Sequence, residues 1–427
     1  MFRAFLFPLF SLAFACAFAQ QTLSLDSALD LAKTRNGTII AAQRQVDAAK
    51  ARVNQARSFF LPTLTPSFNY SDSRTDLNTG VTNPPFRTIN SGTTSEVTAA
   101  WKILDSGDRN LSYLSARKGY DAEYLDAVQT LRQILFNVYT QYFEVIRAQE
   151  LLKVSQAQID RADKVVKQIE ARIKVGDAAE KDIYQPKADY LNAKVQQLAN
   201  KNRLAKATAD FMAAVGWEVG QPLPALETFE APKPEPLGDR EANVAEGLAN
   251  RADLNAQRIR LDQQVFGLRR TKLDAGIQFS LDLSVTKTFG KDNANNRLLT
   301  FSASAPLFDG NRSKEAIKEG VAGLRASEST LVQQERTVRA DIESAFDEVS
   351  LNGERLEASS NALEAARVNF QKAERVYELK VSDVVELSVA QLTLTQAENA
   401  YVEAVYDYYV SKAQLDFVVG RKVRGEG

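Results

Sequence analysis

The stretch Ile277–Phe289 reads IQFSLDLSVTKTF, and Arg297–Arg312 reads RLLTFSASAPLFDGNR. In the first, Phe279, Leu281, Leu283 and Val285 alternate with Ser280, Asp282, Ser284 and Thr286. In the second, Leu299, Phe301, Ala303 and Ala305 alternate with Thr300, Ser302 and Ser304. A period of two predicts extended chain with one apolar and one polar face. The intervening Lys287–Asn296 is polar and rich in Asn, which predicts a solvent-facing loop. A helical pattern then opens at Asp309.

The same unit lies upstream. Leu64, Phe68 and Tyr70, then Val97, Ala99, Trp101 and Ile103, give a second strand pair around the loop Ser71–Gly92. Asp105–Gly216 lies over Asp309–Gly420 without a gap, matching Gln129 to Gln333, Arg132 to Arg336, Glu144 to Glu348, Ala162 to Ala366 and Val215-Gly216 to Val419-Gly420. Such self-similarity predicts an internal duplication. Each copy starts with an alanine-rich amphipathic helix, Ser27–Phe60 and Glu241–Ala275, broken early near Asn36 and Arg251. The expected division is a leader at 1–19, a first repeat at 20–220, a Pro-rich linker at 221–240 and a second repeat at 241–427. Strands are expected at about 62–75, 93–104, 277–289 and 297–307, and helical hairpins at about 105–216 and 309–420.

Each hairpin begins with a helix of about 70 residues, hence about 105 Å long at 1.5 Å per residue. In the first, Leu125, Val128, Leu135, Val138, Tyr142, Val145, Leu152 and Ile159 recur in steps of three, four or seven, a coiled-coil seam. The chain turns back at Gly176-Asp177 and at Val381-Ser382-Asp383.

Composition sets the compartment and excludes most chemistry. Arg3, the apolar run Phe5–Phe18 and Ala17-Phe18-Ala19 before Gln20 form a secretory leader. The only cysteine, Cys16, falls inside that leader, so no intrachain disulfide is available; Ala13 and Phe14 before it disfavour lipid attachment. With no histidine and no mature cysteine, the usual metal and haem ligand sets and the His-based or Cys nucleophile sites are missing. The 54 Asp and Glu follow helical patterns rather than gathering on loops, so neither enzymatic activity nor a cofactor is expected. A net charge of −1 with evenly mixed signs gives no footprint for nucleic acid.

Beyond the leader no apolar run is long enough for a membrane helix, so any crossing must use the strands. Phe59, Phe60, Phe68, Tyr70, Trp101, Phe279, Phe289, Phe301 and Phe308 cluster in or beside them, as interface girdles do. Four strands cannot close a barrel, and an open edge in lipid leaves backbone groups unsatisfied, so several chains must share one.

The order helix, strand pair, long hairpin, repeated twice, resembles the TolC-type outer membrane efflux family over essentially the whole mature chain. So do Asp105-Ser-Gly-Asp-Arg109 and Pro306-Leu-Phe-Asp-Gly-Asn-Arg312, similar to the family's strand-to-helix turns (Asp105, Gly107, Asp309 and Gly310), and tip segments ending in Lys187-Ala188 and Ala390-Gln391. The resemblance implies a mainly α fold with a small β-barrel portion: a homotrimeric α-barrel tunnel in the periplasm and a shared transmembrane β-barrel in outer-membrane lipid. It implies a passive channel working with a periplasmic adaptor and an inner-membrane pump or transporter. It also implies an aperture at the hairpin tips, where Tyr377 matches a network tyrosine, Glu386 an acidic ring position and Asp182 a carboxylate on the neighbouring hairpin. Ser382 stands where the family has an arginine and Val389 where it has a second acidic residue, which implies a looser lock, with Asp383 as a substitute ring residue or an exposed cap. The small and apolar tips, Lys174, Val175, Gly176 and Asp177 with Lys380 and Val381, are the expected adaptor contacts.

The rival readings are a secreted coiled-coil structural or adaptor protein without a barrel, and a carboxylate-only hydrolase. The first has no use for two alternating strand hairpins, and the second lacks a nucleophile motif.

Overall fold

A computed structural model describes residues 22–77, 86–218, 222–289, 294–379, 381, 383–422 and 424–426. The leader with Cys16, and the tip residues Lys380 and Ser382, lie outside them. The elements run α1 (Leu25–Arg35), α2 (Gly37–Ser58), β1 (Thr63–Leu77), β2 (Phe86–Leu104), α3 (Asp108–Lys174), α4 (Tyr184–Val215), α5 (Arg240–Asn250), α6 (Ala252–Asp274), β3 (Gln278–Phe289), β4 (Ala294–Ser304), α7 (Arg312–Glu378) and α8 (Val384–Val418).

The breaks in the opening helices have local causes. Asn36 is extended, and its side chain accepts from the amides of Thr38 and Ile39, capping α2. Its side-chain nitrogen meanwhile donates to the Ala214 carbonyl at 2.8 Å, tying the break to the end of α4. There the chain leaves α4 through Gly216, at φ +77, where an added Cβ would lie 2.9 Å from the Arg35 carbonyl oxygen. Gly420 repeats this, with φ +75 and the Arg251 backbone 3.1 Å from a would-be Cβ. Only glycine combines that conformation with that approach.

The four strands form one antiparallel sheet in the order β1-β2-β3-β4. Register sets Leu64 beside Ala99 and Val285, and Trp101 beside Leu283 and Leu299, all on one face. The other face carries Lys102 beside Asp282 and Thr98 beside Thr286, the two threonine hydroxyls 3.1 Å apart. An apolar face outward and a polar face inward is the pattern of a membrane barrel wall. Both β1 and β4 are open edges.

Several boundaries differ from the sequence pattern. β2 starts at Phe86 rather than near 93, because its backbone pairs with β1 out to Leu77 although polar residues interrupt the alternation there. β4 spans Ala294–Ser304 rather than 297–307, stopping ahead of Pro306, which has no amide to donate. The long helices start at Asp108 and Arg312, where the carboxylates of Asp105 and Asp309 accept from the first-turn amides of Arg109 and Ser313.

The helices pack side by side. α3 lies against α2, α4, α6 and α8, and α7 against α5, α6 and α8, so α4 and α7 turn outward at opposite flanks. α3 and α7 each have 67 residues, about 100 Å. The main core sits midway, where Tyr142, Phe143, Phe211, Phe229 and Tyr409 pack ring against ring. Burial pushes the Tyr142 hydroxyl up to about 12, so it stays a donor, to the Leu23 carbonyl at 2.9 Å, while it accepts from the Glu227 amide at 3.1 Å. Tyr409 donates to the Glu230 carbonyl, and Tyr408 accepts from the Glu235 amide. The Pro-rich linker is thus a packed strap, not a free spacer: Leu226 is buried and forms a parallel bridge with Leu23.

Candidate aperture at the hairpin tips

The tips are built on a small core of their own. Val165, Val166 and Ile169 of α3, Ile183, Ala373 and Tyr377 of α7, and Val384, Leu387 and Ala390 of α8 are buried together. Both hairpins therefore end as one packed unit.

The first tip is tied down locally. Gly176 turns the chain at φ +76, and the Asp177 amide bonds the Arg172 carbonyl at 2.8 Å. Arg172 Nε donates to Asp177 at 3.2 Å, and its guanidinium lies 5.3 Å from the centre of the Tyr377 ring. The Tyr377 hydroxyl and the Asp177 carboxylate beside the guanidinium strengthen its hold on the proton. Arg172 thus bridges the two hairpins from α3 to α7. A one-turn 3₁₀ helix follows at Glu180–Ile183, where the Asp182 carboxylate accepts from the Ala179 amide at 3.2 Å.

The second tip carries fewer ties. Asp383 is extended and its carboxylate caps α8 through the Val384 amide. Glu386, one turn into α8, is exposed and makes no ion pair with another described residue. Val385 and Val389 flank it at 53% and 58% exposure. A groove of about 380 Å³ runs between the starts of α4 and α8, lined by Gln185, Asp189 and Asn192 on one side and by Val385, Val389 and Leu392 on the other.

Of the residues singled out from sequence, Tyr377 is buried in the tip core, Glu386 is exposed without an ion-pair partner among the described residues, and Asp182 and Asp383 serve their own turns. Lys174, Val175, Gly176 and Asp177 form the first tip, with Val175 at 78% exposure, and Val381 stands at 77% on the second. Lys380 and Ser382 fall outside the described residues. The partner of Tyr377 is Arg172, which sequence reading missed. Its one signal is the duplication, where the bulky cation at 172 replaces a valine, Val376.

At the other end of the long helices, Asp105 accepts from the amides of Gly107 and Arg109 and pairs with the Arg109 Nε at 2.6 Å. Arg109 also reaches the carbonyls of Phe59, Lys102 and Ile103, stitching α2, β2 and α3 together. In the second turn the Asp309 carboxylate accepts from the amide and hydroxyl of Ser313, with Gly310 and Asn311 both left-handed. Among the described residues no helix is long and apolar enough to cross a membrane.

Comparison with known proteins agrees with this architecture. The family model described as outer membrane efflux protein matches residues 28–217 and 243–421. The outer membrane protein TolC of Escherichia coli is 24% identical over 399 residues, 88% of this chain and 77% of its own length. The pyoverdine export outer membrane protein OpmQ of Pseudomonas putida is 26% identical, covering 88% and 81%. Among solved structures, the outer-membrane channel OprN superposes with a TM-score of 0.82 at 18% identity, covering 94% of this chain and 90% of that one.

Proposed function

This chain belongs to the outer membrane efflux protein family, whose members are outer-membrane exit ducts of efflux or secretion systems, and we propose that it works as a homotrimer, passively and without catalysing a reaction. The observation that carries this is the four-stranded sheet with two open edges and opposite apolar and polar faces. In lipid each unpaired backbone group costs several kcal/mol, so β1 of one copy must meet β4 of the next until the barrel closes. The outward flanks α4 and α7 meet in the same way and extend the barrel as a helical tunnel through the periplasm.

In this reading the tips form the inner mouth. Glu386 faces the axis from each copy, and converging carboxylates raise the local cation concentration. Arg172 and Tyr377 hold the two hairpins of each copy together beside it. A periplasmic adaptor, itself joined to an inner-membrane pump or transporter, docks on the exposed tips at Val175 and Val381 and in the groove at Val385 and Val389. Nucleic acid has no place in this scheme.

Planar-bilayer conductance of the detergent-extracted protein, with its mass measured by light scattering in the same preparation, tests the reading. Discrete channels from a particle of three chains are expected. A non-conducting monomer or dimer removes the shared barrel and leaves a secreted coiled-coil protein.

A further inference from the structure

The two strand-to-helix turns hold equivalent places in the duplicated chain but differ in what they touch. In the first, Ser106 Oγ accepts from the Phe279 amide at 2.6 Å and donates to its carbonyl at 3.4 Å, while Asp108 pairs with Arg270 at 2.5 Å. This turn is seated on the end of α6, around a polar hollow of about 230 Å³ shared by Asp105, Asp108, Arg270 and Asp274. Among the described residues the second turn has no such seat. Leu307 is 99% and Phe308 87% exposed, whereas the matching Leu104 is paired with Leu281 of β3.

The missing seat is present at the opposite flank of the same chain. α2 and α6 end at matching caps, Phe59 and Ala275, and counting back from them sets Asn54, Arg57 and Ser58 against Arg270, Leu273 and Asp274. Asn54, Arg57 and Ser58 line, with Phe60, Leu61 and Tyr113, an open hollow of about 730 Å³. Phe60 and Tyr113 meet edge to face there at 6.4 Å. One chain cannot bring turn and hollow together, because they flank β4 and β1, the two open edges of its sheet.

We propose that Leu307 and Phe308 of one copy insert into the hollow at the end of α2 in the next copy, repeating between chains the contact that Ser106 and Asp108 make within one. The proposal rests on the shared-duct reading above. The chemistry of the joint changes with its place. Gly310 stands where Ser106 does, Arg312 where Asp108 does and Asn54 where Arg270 does, so the internal hydrogen bond and ion pair have no counterpart between copies. An aromatic side chain entering a recess of mixed character, where Phe60, Leu61 and Tyr113 stand with Asn54, Arg57, Ser58 and Asn110, replaces them, the usual form of an interface anchor. Two neighbouring apolar side chains left almost fully exposed at one edge of the sheet, with the matching recess at the other edge, mark such a joint.

The test is cross-linking, in detergent, of the exported protein, whose one native cysteine, Cys16, lies in the leader. Phe308→Cys combined with Ser58→Cys, treated with a short bismaleimide, is expected to give covalent dimers and trimers on a denaturing gel, and either variant alone none. Phe308→Ala is expected to lower the temperature at which the oligomer separates, with the helical content of the protein unchanged. If light scattering finds the oligomer intact but the paired cysteines stay unlinked, the joint is overturned and the duct stands. A Phe308→Cys thiol that reacts freely with a lipid-soluble maleimide in the intact oligomer places the side chain in lipid and also overturns it. A monomer overturns both.

Discussion

The face between the two repeats and the faces that each repeat turns outward are built from equivalent helices, yet they carry different chemistry. Between repeats, Arg161 of α3 bonds Glu398 of α8 at 2.7 and 3.2 Å and reaches the Thr395 hydroxyl. Arg147 bonds Asp407 at 2.9 Å, and Arg260 pairs with Asp126. At the matching outward positions the chain has Ala365 for Arg161, Leu351 for Arg147, Leu191 for Thr395 and Lys194 for Glu398. Leu351 and Leu191 stand at 67% and 59% exposure. Oriented ion pairs specify how the two halves register inside one chain; at the matching outward positions Ala365, Leu351 and Leu191 cannot form them, and apolar surface stands there beside the cation Lys194.

The largest expected effect comes from breaking the internal face. Arg161→Ala leaves Glu398, whose side chain is 17% exposed, without its partner. A loss of about 2–3 kcal/mol is expected, as for a hydrogen bond to a charged group, read by chemical denaturation. An unfolding midpoint equal to the wild type would show that the internal ion pairs do not distinguish the two faces.

Acid probes the first strand-to-helix turn against the second. Burial raises the Asp105 carboxyl, but hydrogen bonds from Arg109 and from the Gly107 and Arg109 amides outweigh it and hold the group below the ordinary 3.8. A carboxylate lowered in the folded state stabilises the fold above its unfolded value and loses that contribution as pH falls through the folded one. The turn is therefore expected to hold at pH 5 and to loosen only below the ordinary aspartate range. Hydrogen exchange of the Arg109 amide across that range checks it, and Asp105→Asn should remove the pH dependence.

On the outward face, Leu351→Ser is expected to change protomer stability by no more than ~0.5 kcal/mol, as for a surface position. The same change should lower the fraction of protein found as oligomer by light scattering. An effect on both quantities alike would mean that Leu351 packs within its own chain. The smallest effect on stability belongs to Glu386→Gln, which should leave unfolding unchanged and reduce cation preference in single-channel recordings. Unaltered selectivity would remove Glu386 from the axis.

Much of the fold was legible because its signals are local. The alternation at Phe279–Val285, the caps at Asn36 and Arg251 and the matched Val-Gly ends are each written within a few residues. What was not legible depends on distant partners. β2 runs back to Phe86 because a neighbouring strand holds it there, not because its own residues alternate. The linker packs because tyrosines far away in sequence hold its amides and carbonyls. Nothing in the residues around Arg172 points to Tyr377, which α7 brings against it, and Asp182 and Asp383 bond backbone amides of their own turns.

The short parallel contact of Leu23 with the strap has a consequence for the order in which the protein can form. Leu23 donates its amide to Ala225 and accepts from Glu227, while Tyr142 holds both segments. The seat for one of the earliest residues is thus made of residues synthesised only after the whole first hairpin. During export the start of the chain must wait unpaired until the strap emerges, so closure of the waist, rather than growth of the long helices, is the step that a chaperone on the far side of the inner membrane would have to guard.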